Sequence, residues 1–183
     1  MQKLSFVFCI AVLAIACNSE KKEPATGTTE TSTETTAKTP VSMPYTAAYS
    51  SSWEMGNPEY ASMILQGSWK DWELNKMDNM KSWAADTLRA FTSSNKIVSG
   101  ADSLMALWKR YRSGYTSVID TIHAVIPVYS TDKKENWVLV WATEINTLPD
   151  GKKDTIEVME TWRINKDGKA DILYQYDRHA RKQ

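Results

Sequence analysis

The fold is decided by residues 136–178, which read NWVLVWATEINTLPDGKKDTIEVMETWRINKDGKADILYQYDR. Three runs rich in β-branched and aromatic residues suit long strands on a half-buried surface: 137–145, 154–164 and 169–177. The runs are separated by PDG, ending at Gly151, and by NKDG, ending at Gly168, and both have the composition of tight turns. The stretch predicts an antiparallel meander, one face of which the rest of the chain must cover.

Residues 1–16 have the pattern of an export signal. Lys3 precedes a short apolar run and Ala14-Ile15-Ala16, directly before Cys17. The run is too short for a membrane-spanning helix, which needs roughly 20 residues. It resembles a bacterial lipoprotein signal, in which the cysteine after the cleavage site is acylated, although Ala14 stands where that signal favours leucine. We expect a lipid-anchored protein of the bacterial cell envelope, at the outer membrane, and plain secretion is the alternative.

Residues 17–52 are predicted to be a lipidated cysteine followed by a disordered tether. The segment is dense in threonine and has almost no large apolar side chain before Met43, so it cannot bury enough surface to offset its ordering entropy. As a flexible coil it would span roughly 30–35 Å. Removal of the signal also removes Cys9, which leaves one thiol and no disulfide within the chain. Residues 53–183 remain as one domain, large enough for a hydrophobic core.

The charge pattern argues against nucleic acid as a partner. The 22 Lys and Arg residues balance the 22 Asp and Glu residues, and no basic run is longer than the tail 178–182. Membrane contact is expected only through the N-terminal lipid. One histidine inside the domain, His123, with no cysteine, cannot form a metal site, so no metal is expected. No cofactor is expected either.

Three helices are predicted before the long strands. The first begins at Asn57, a suitable cap, and carries an apolar stripe of Leu65, Trp69 and Trp72. A shorter helix follows Asp78, which can cap it. The third follows Gly100 and carries a stripe at helical spacing: Leu104, Leu107, Trp108 and Tyr111.

The predicted strands complete an α+β domain. A short pair at 87–91 and 96–98 precedes the third helix, and a long strand at 118–128 follows it, with Pro127 favouring an edge or a bulge. Four long antiparallel strands then carry helices on one face of a curved sheet.

In this order the chain resembles the nuclear transport factor 2-like superfamily, which includes SnoaL-like cyclases, scytalone dehydratase and ketosteroid isomerase. The resemblance covers residues 58–177 and rests on MDNM followed by WAAD in 77–86, the helix after Gly100, and ETWRI with DGK in 160–169. It implies a cystatin-like cone, in which a curved antiparallel sheet of four long strands and a short pair is covered by three helices. A pocket would lie between the concave sheet and the first helix.

Glu160 is the most informative residue of the predicted sheet. It alternates onto the apolar face of its strand, with Val158 and Trp162 as neighbours on that face. An inward carboxylate is costly unless it is paired or protonated. The resemblance implies an acid that donates a hydrogen bond to a developing oxyanion. The structural alternatives are an ion pair with Lys70 or an arginine, or a hydrogen bond from a tryptophan N–H.

The other groups of isomerase chemistry are missing. The resemblance places the general base near Phe91 and Thr92 and the tyrosine near Lys70, and none of these residues has the required chemistry. Ketosteroid isomerase activity is therefore not expected.

His123 with an acid from the helices, Asp71 or Asp78, is the dehydratase-like alternative. Alternation places Val118, Ile122, Ala124 and Ile126 on the face opposite His123, which favours an outward histidine. His179 is assigned to the terminal tail.

The eight tryptophans predict either an aromatic core or a pocket for a flat, hydrophobic molecule. Six of them could converge on one cavity: Trp69, Trp72, Trp83, Trp137, Trp141 and Trp162. In the last strand, Tyr174 and Tyr176 point inward by hydrophobicity, whereas register with the resembling enzymes turns Leu173, Gln175 and Asp177 inward. Outward tyrosines would mark a face for dimerisation.

Three functions follow from these patterns. The first is an envelope-tethered, non-catalytic domain that binds a small hydrophobic ligand or a protein partner. The second is a SnoaL-like cyclase, dehydratase or isomerase whose candidate catalytic residues are Glu160, His123 and Asp78. The third is a structural module that forms homodimers. The ligand pocket is predicted to consist of Trp69, Trp72, Trp83, Trp141, Glu160 and Trp162.

Overall fold

The computed structural model describes residues 43–179. The predicted signal peptide, the lipidation site Cys17 and residues 18–42 of the predicted tether lie outside the described residues. Within 43–179, no helix is both long and apolar enough to cross a membrane.

The described chain contains the predicted meander and the predicted helical regions. Its strands are β1 (Trp53–Met55), β2 (Ala84–Phe91), β3 (Ile97–Ser99), β4 (Ser117–Ser130), β5 (Glu135–Thr147), β6 (Lys153–Ile164) and β7 (Ala170–His179). Its helical segments are α1 (Pro58–Ile64), a π-helical segment (Leu65–Lys70), α2 (Asp71–Glu73), a 3-10 turn (Met77–Asn79), α3 (Met80–Trp83) and α4 (Ala101–Arg112). The turn glycines Gly151 and Gly168 have φ of +83° and +75°, the conformation for which a turn needs glycine.

All seven strands of the described chain form one curved sheet in the order β1-β4-β5-β6-β7-β2-β3. Neighbouring strands are antiparallel except β2 and β7, which are parallel. The helices cover one face, called here the inner face, onto which the even-numbered residues of β5 and β6 project and are mostly buried. The odd-numbered residues of the same strands project onto the outer face. The predicted α+β cone is confirmed.

The core lies between the inner face and the helices. Seven of its large side chains are almost fully buried: Ile64, Met77, Met80, Leu88, Leu104, Trp162 and Leu173. Asn57 caps α1 as predicted, since its side-chain oxygen accepts a hydrogen bond of 2.9 Å from the Glu59 amide. Asp78 does not cap α3, because it lies inside the 3-10 turn and forms an ion pair with Lys109.

The π-helical segment contains a glycine, Gly67, that its packing requires. The indole of Trp83 lies against Gly67, and a Cβ at this position would come within 2.4 Å of Trp83 Nε1. Glycine is therefore needed for the close contact between this segment and Trp83.

β4 contains a bulge that the sequence pattern does not reveal. Ile122 pairs with Ala142 and Ala124 pairs with Trp141, so His123 is the extra residue. Beyond the bulge the alternation is reversed: Val125 pairs with Val140 and packs against the core. The predicted facing of Ala124 and Ile126 is therefore wrong, because they lie on the outer face with Trp141 and Leu139.

The folded unit begins before the predicted boundary at residue 53. Ser50 is buried, and its hydroxyl is 2.8 Å from the hydroxyl of Ser130 and 2.6 Å from a carboxylate oxygen of Asp132. Tyr49 packs edge-on against Trp137. Residues 49–52, predicted as tether, thus contact the β4–β5 hairpin.

Candidate functional site

A cavity of about 260 Å³ lies between the inner face of the sheet and the helices. Its aromatic wall consists of Trp69, Trp72, Trp108, Tyr111 and Tyr115. The cavity reaches the surface beside Ser94 and His179, both of which are exposed. Aromatic walls with a few polar groups are typical of small-molecule pockets.

The π-helical segment and α2 position one side of this cavity. A π-helical turn is wider than an α-helical turn and is frequent at functional sites. Here it directs Ser68 and Trp69 toward the sheet, while Trp72 follows one turn later in α2.

Glu160 lies on the inner face of β6, 3% exposed, as predicted. One carboxylate oxygen accepts hydrogen bonds from Trp162 Nε1 at 2.9 Å and from Ser68 Oγ at 3.3 Å. The other accepts a bond of 3.0 Å from Gln175 Nε2. The predicted bond from a tryptophan N–H is therefore present, whereas the proposed partner Lys70 instead forms an ion pair with Glu73.

Burial dominates the ionisation of Glu160. It raises the pKa of this carboxyl to about 7, although the hydrogen bonds from Trp162, Gln175 and Ser68 oppose the shift. Both the protonated and the ionised form of this carboxyl are therefore accessible near neutral pH.

Glu144 is a second inward acid that the sequence reasoning did not single out. It is 8% exposed, accepting bonds of 2.7 Å from Trp72 Nε1 and 2.6 Å from Asn146 Nδ2. Burial raises its pKa, again against the effect of these bonds. The alternation of β5 contains the signal, since Glu144 follows Val138, Val140 and Ala142 on the same face.

Asp120 is a third acid on the inner face, opposite Glu144 in the β4–β5 ladder. It lines a neighbouring cavity against α1 and the π-helical segment. Within residues 43–179 neither of its carboxylate oxygens has a hydrogen-bond partner. Burial, followed by the charges of Glu144 and Glu73, raises its pKa to about 8.

The structure brings together only part of the predicted pocket. Trp69, Trp72 and Glu160 line the cavity. Trp83 and Trp162 do not line it but pack edge-to-face in the core, with ring centroids 5.4 Å apart.

Two further tryptophans lie on the other side of the sheet. Trp141 and Trp137 occupy odd positions of β5 and project onto the outer face, so their predicted place in the cavity is wrong. Trp108 of α4 lines the cavity instead. Large apolar residues on both faces of β5 made its inner face ambiguous in the sequence.

The candidate catalytic residues are not brought together. His123 is exposed, and its Nε2 lies 2.6 Å from Thr143 Oγ1 on the outer face, so it does not contribute to the cavity. Asp78 is exposed and paired with Lys109, and Asp71 does not line the cavity.

The last strand follows the facing implied by the resemblance. Leu173 is in the core, and Gln175, Asp177 and His179 line the cavity. His179, predicted in the tail, is the last residue of β7, and its Nδ1 is 3.3 Å from Asp154. Asp177 accepts a hydrogen bond of 2.5 Å from Ser93.

Thr92 and Phe91, near which the resemblance places the general base, differ in their surroundings. Thr92 lines the cavity, and Phe91 instead stacks on Tyr174. Within residues 43–179, no three His, Cys, Asp or Glu side chains come close enough together to hold a metal ion.

No model of a protein family matches the sequence, and no curated protein matches it. Similar solved structures include a putative SnoaL-like polyketide cyclase from Shewanella denitrificans, with a TM-score of 0.55 and 13% identity over 67% of this chain and 92% of that one. The Δ5-3-ketosteroid isomerase of a Mycobacterium species has a TM-score of 0.52 and 15% identity over 66% of this chain and 98% of that one.

A Mycobacterium tuberculosis protein in complex with estradiol-17β-hemisuccinate is also similar, with a TM-score of 0.52 and 13% identity over 64% of this chain and 92% of that one. The geometry defines an α+β cone with a cavity between its sheet and its helices. Together with these likenesses it shows that the domain has the nuclear transport factor 2-like fold.

Proposed function

We propose that this domain is a non-catalytic binding domain that holds a small hydrophobic molecule in the cavity beside Glu160. The observation that carries the proposal is an open aromatic cavity in which both oxygens of Glu160 already accept hydrogen bonds. The open volume favours a ligand. The occupied carboxylate favours binding over proton transfer, because a general acid or base needs access to the reacting atom.

The similar structure that contains estradiol-17β-hemisuccinate supports a hydrophobic ligand for a domain of this fold. In the present chain, the apolar contact surface would come from Trp69, Trp108 and Val158.

Native mass spectrometry of the purified protein tests this proposal through a co-purified ligand. Ser94→Trp places a bulky ring at the mouth of the cavity, and we expect it to abolish the adduct. Lys96→Trp lies two residues further along, does not line the cavity, and should keep the adduct. An adduct that survives Ser94→Trp at full intensity would contradict binding in this cavity.

A second candidate function, acid–base catalysis of the SnoaL-like kind, draws on Glu160 alone. Its pKa of about 7 suits proton transfer near neutral pH. A ligand that returns from prolonged incubation with its mass and structure unchanged supports binding. Conversion that is lost in Glu160→Gln would instead support the enzyme.

We further propose that Cys17 carries a lipid and that residues 18–48 tether the domain to the bacterial envelope. The short apolar signal and the threonine-rich composition support this proposal. The full-length chain should partition into the detergent phase of Triton X-114, and Cys17→Ser should remain in the aqueous phase. Equal partitioning of the two would favour plain secretion.

The outer face supports a proposal of homodimerisation. It bears an apolar groove of about 480 Å³ lined by Tyr49, Trp53, Val128, Trp137, Leu139, Thr161, Tyr174 and Tyr176. Exposed apolar patches of this kind mark interaction surfaces. Arg163 on this face forms ion pairs with Asp171 and Glu135, which partly offsets the charge that a second copy of the same face would meet.

A further inference from the structure

The cavity has an unusual charge balance. Within residues 43–179, its lining includes the carboxyl groups of Glu144, Glu160 and Asp177 but no lysine or arginine. Among the described residues that line the cavity, only His179 can become cationic, and it lies at the exposed end of β7 near Asp154.

In the described part of the chain, every hydrogen bond that these carboxylates accept comes from a neutral donor. Glu160 accepts from Trp162, Gln175 and Ser68. Glu144 accepts from Trp72 and Asn146, and Asp177 from Ser93. Neutral donors orient a carboxylate but do not cancel its charge, so ionised Glu160 and Glu144, which are both buried, have no counter-ion among the described residues that line the cavity. Asp177 is exposed to solvent.

Arg112 is a nearby buried cation, but it is held in the wall. It is 7% exposed, and its guanidinium donates to the backbone carbonyls of Trp72 at 3.0 Å, Glu73 at 3.1 Å and Tyr115 at 3.0 Å. Its charge lowers the pKa of Glu144, which burial raises more strongly. It does not line the cavity.

The aromatic wall completes the pattern. Trp72 and Trp108 pack edge-to-face with ring centroids 6.2 Å apart, and both line the cavity. Tryptophan rings attract organic cations through the negative potential of their faces, and this attraction increases where water is excluded.

Trp69 provides an observation that is independent of the acids. The residue is 5% exposed and lines the cavity, yet within residues 43–179 its indole N–H has no hydrogen-bond partner. A buried donor without an acceptor is unfavourable, so this N–H marks a place for an acceptor atom on the body of the ligand, separate from its ammonium group.

We propose that the ligand of this cavity carries a protonated amine on an apolar, aromatic-sized body, with the ammonium group beside Glu160 and Glu144. The inference rests on the proposed binding function and specifies its ligand class. The apolar body would occupy the space along Ile156, Val158 and Trp108.

Isothermal titration calorimetry with three probes of one ring system tests the inference: 1-naphthylmethylamine, 1-naphthalenemethanol and 1-naphthoic acid. At pH 7 the amine should bind about tenfold more tightly than the alcohol, and the acid should bind more weakly than either. Glu160→Gln should remove the preference for the amine while the affinity for the alcohol stays within about twofold.

The matched control is Glu157→Gln on the outer face of the same strand, which should leave all three affinities unchanged. If Glu160→Gln does not fold, Glu144→Gln is titrated instead, and it too should lose the preference for the amine.

The outcomes separate this inference from the proposed function. An alcohol that binds as tightly as the amine overturns the amine inference and leaves the binding function standing. A preference for the amine that persists in both Glu160→Gln and Glu144→Gln also overturns it, because the cation would then lie elsewhere. Failure of all three probes to bind counts against the binding function, and the inference falls with it.

Discussion

The carboxyl group of Glu160 links the site to the stability of the domain. Folding raises its pKa from 4.5 to about 7, so the folded state keeps a proton that the unfolded chain releases between these values. Stability from this group is therefore complete below pH 4.5 and is lost as the pH rises through 7.

We expect the free energy of unfolding of the unmodified protein to fall by roughly 2–3 kcal/mol more than that of Glu160→Gln between pH 5 and pH 8. Glutamine has the shape of the protonated acid but cannot ionise. Urea unfolding at the two pH values measures the difference. Asp120→Asn is the comparison. Because the pKa of Asp120 is about 8, the stability that this carboxyl contributes is lost at a higher pH. Parallel pH profiles for the unmodified protein and Glu160→Gln would contradict the raised pKa of Glu160.

Gly67 is the residue at which a single methyl group should do most damage. An alanine Cβ would meet the Trp83 indole at 2.4 Å, and this indole packs against Trp162 in the core. Because the ring is buried and cannot withdraw, Gly67→Ala should destabilise the domain by roughly 2–4 kcal/mol. Thermal or urea unfolding measures the loss.

Ser62→Ala, at an exposed position of α1, is the control for Gly67→Ala and should change stability by less than about 0.5 kcal/mol. A Gly67→Ala protein as stable as the control would show that the segment can move away from Trp83.

Among the elements, the strands were more predictable than the helices. β5, β6 and β7 follow from β-branched runs and from turns ending in Gly151 and Gly168, which are local signals. Alternation then placed Glu160 correctly, because its neighbours on that face of β6 are apolar. The same rule failed in β4, since the bulge at His123 has no glycine or proline to announce it.

The two faces of strand β7 should contribute unequally to the stability of the domain. Leu173 is fully buried on the inner face, whereas Tyr176 is 61% exposed on the outer face. Leu173→Ala should cost roughly 2–5 kcal/mol through lost burial and a cavity. Tyr176→Ala should change the stability of the monomer by less than about 1 kcal/mol.

Urea unfolding of the two variants at low protein concentration, where association is minimal, checks this prediction. Equal losses would mean that the facing of β7 is not the one described.

For the whole molecule, the cavity depends on contacts that no local pattern contains. The parallel pairing of β2 with β7 brings Ser93 to Asp177, 84 residues further along the chain. The contact of Trp72 with Glu144 spans 72 residues and joins α2 to β5. Such pairings depend on the assembled sheet, which is why the place of His179 in the cavity was missed. Glu144 was missed for a local reason, since large apolar residues on both faces of β5 left its inner face ambiguous.

Exposed aromatic side chains on the outer face predict that the protein dimerises. Trp53 and Tyr176 are 45% and 61% exposed beside an apolar groove, and burying such aromatic surface between two copies would favour association. We therefore expect the unmodified protein to be a dimer at micromolar concentration, measured by sedimentation equilibrium. Tyr176→Lys should make it monomeric, because two copies would bring the new charges into an apolar interface.

Leu74→Lys is the matched control, since Leu74 is 47% exposed but follows α2, at the helical side of the domain. It should leave the dimer intact. A monomeric unmodified protein would contradict dimerisation, and dissociation by Leu74→Lys but not by Tyr176→Lys would move the interface to the helical side. Because the cavity lies on the inner face and the groove on the outer face, Tyr176→Lys should leave ligand binding unchanged, so association and binding can be tested separately in the same protein.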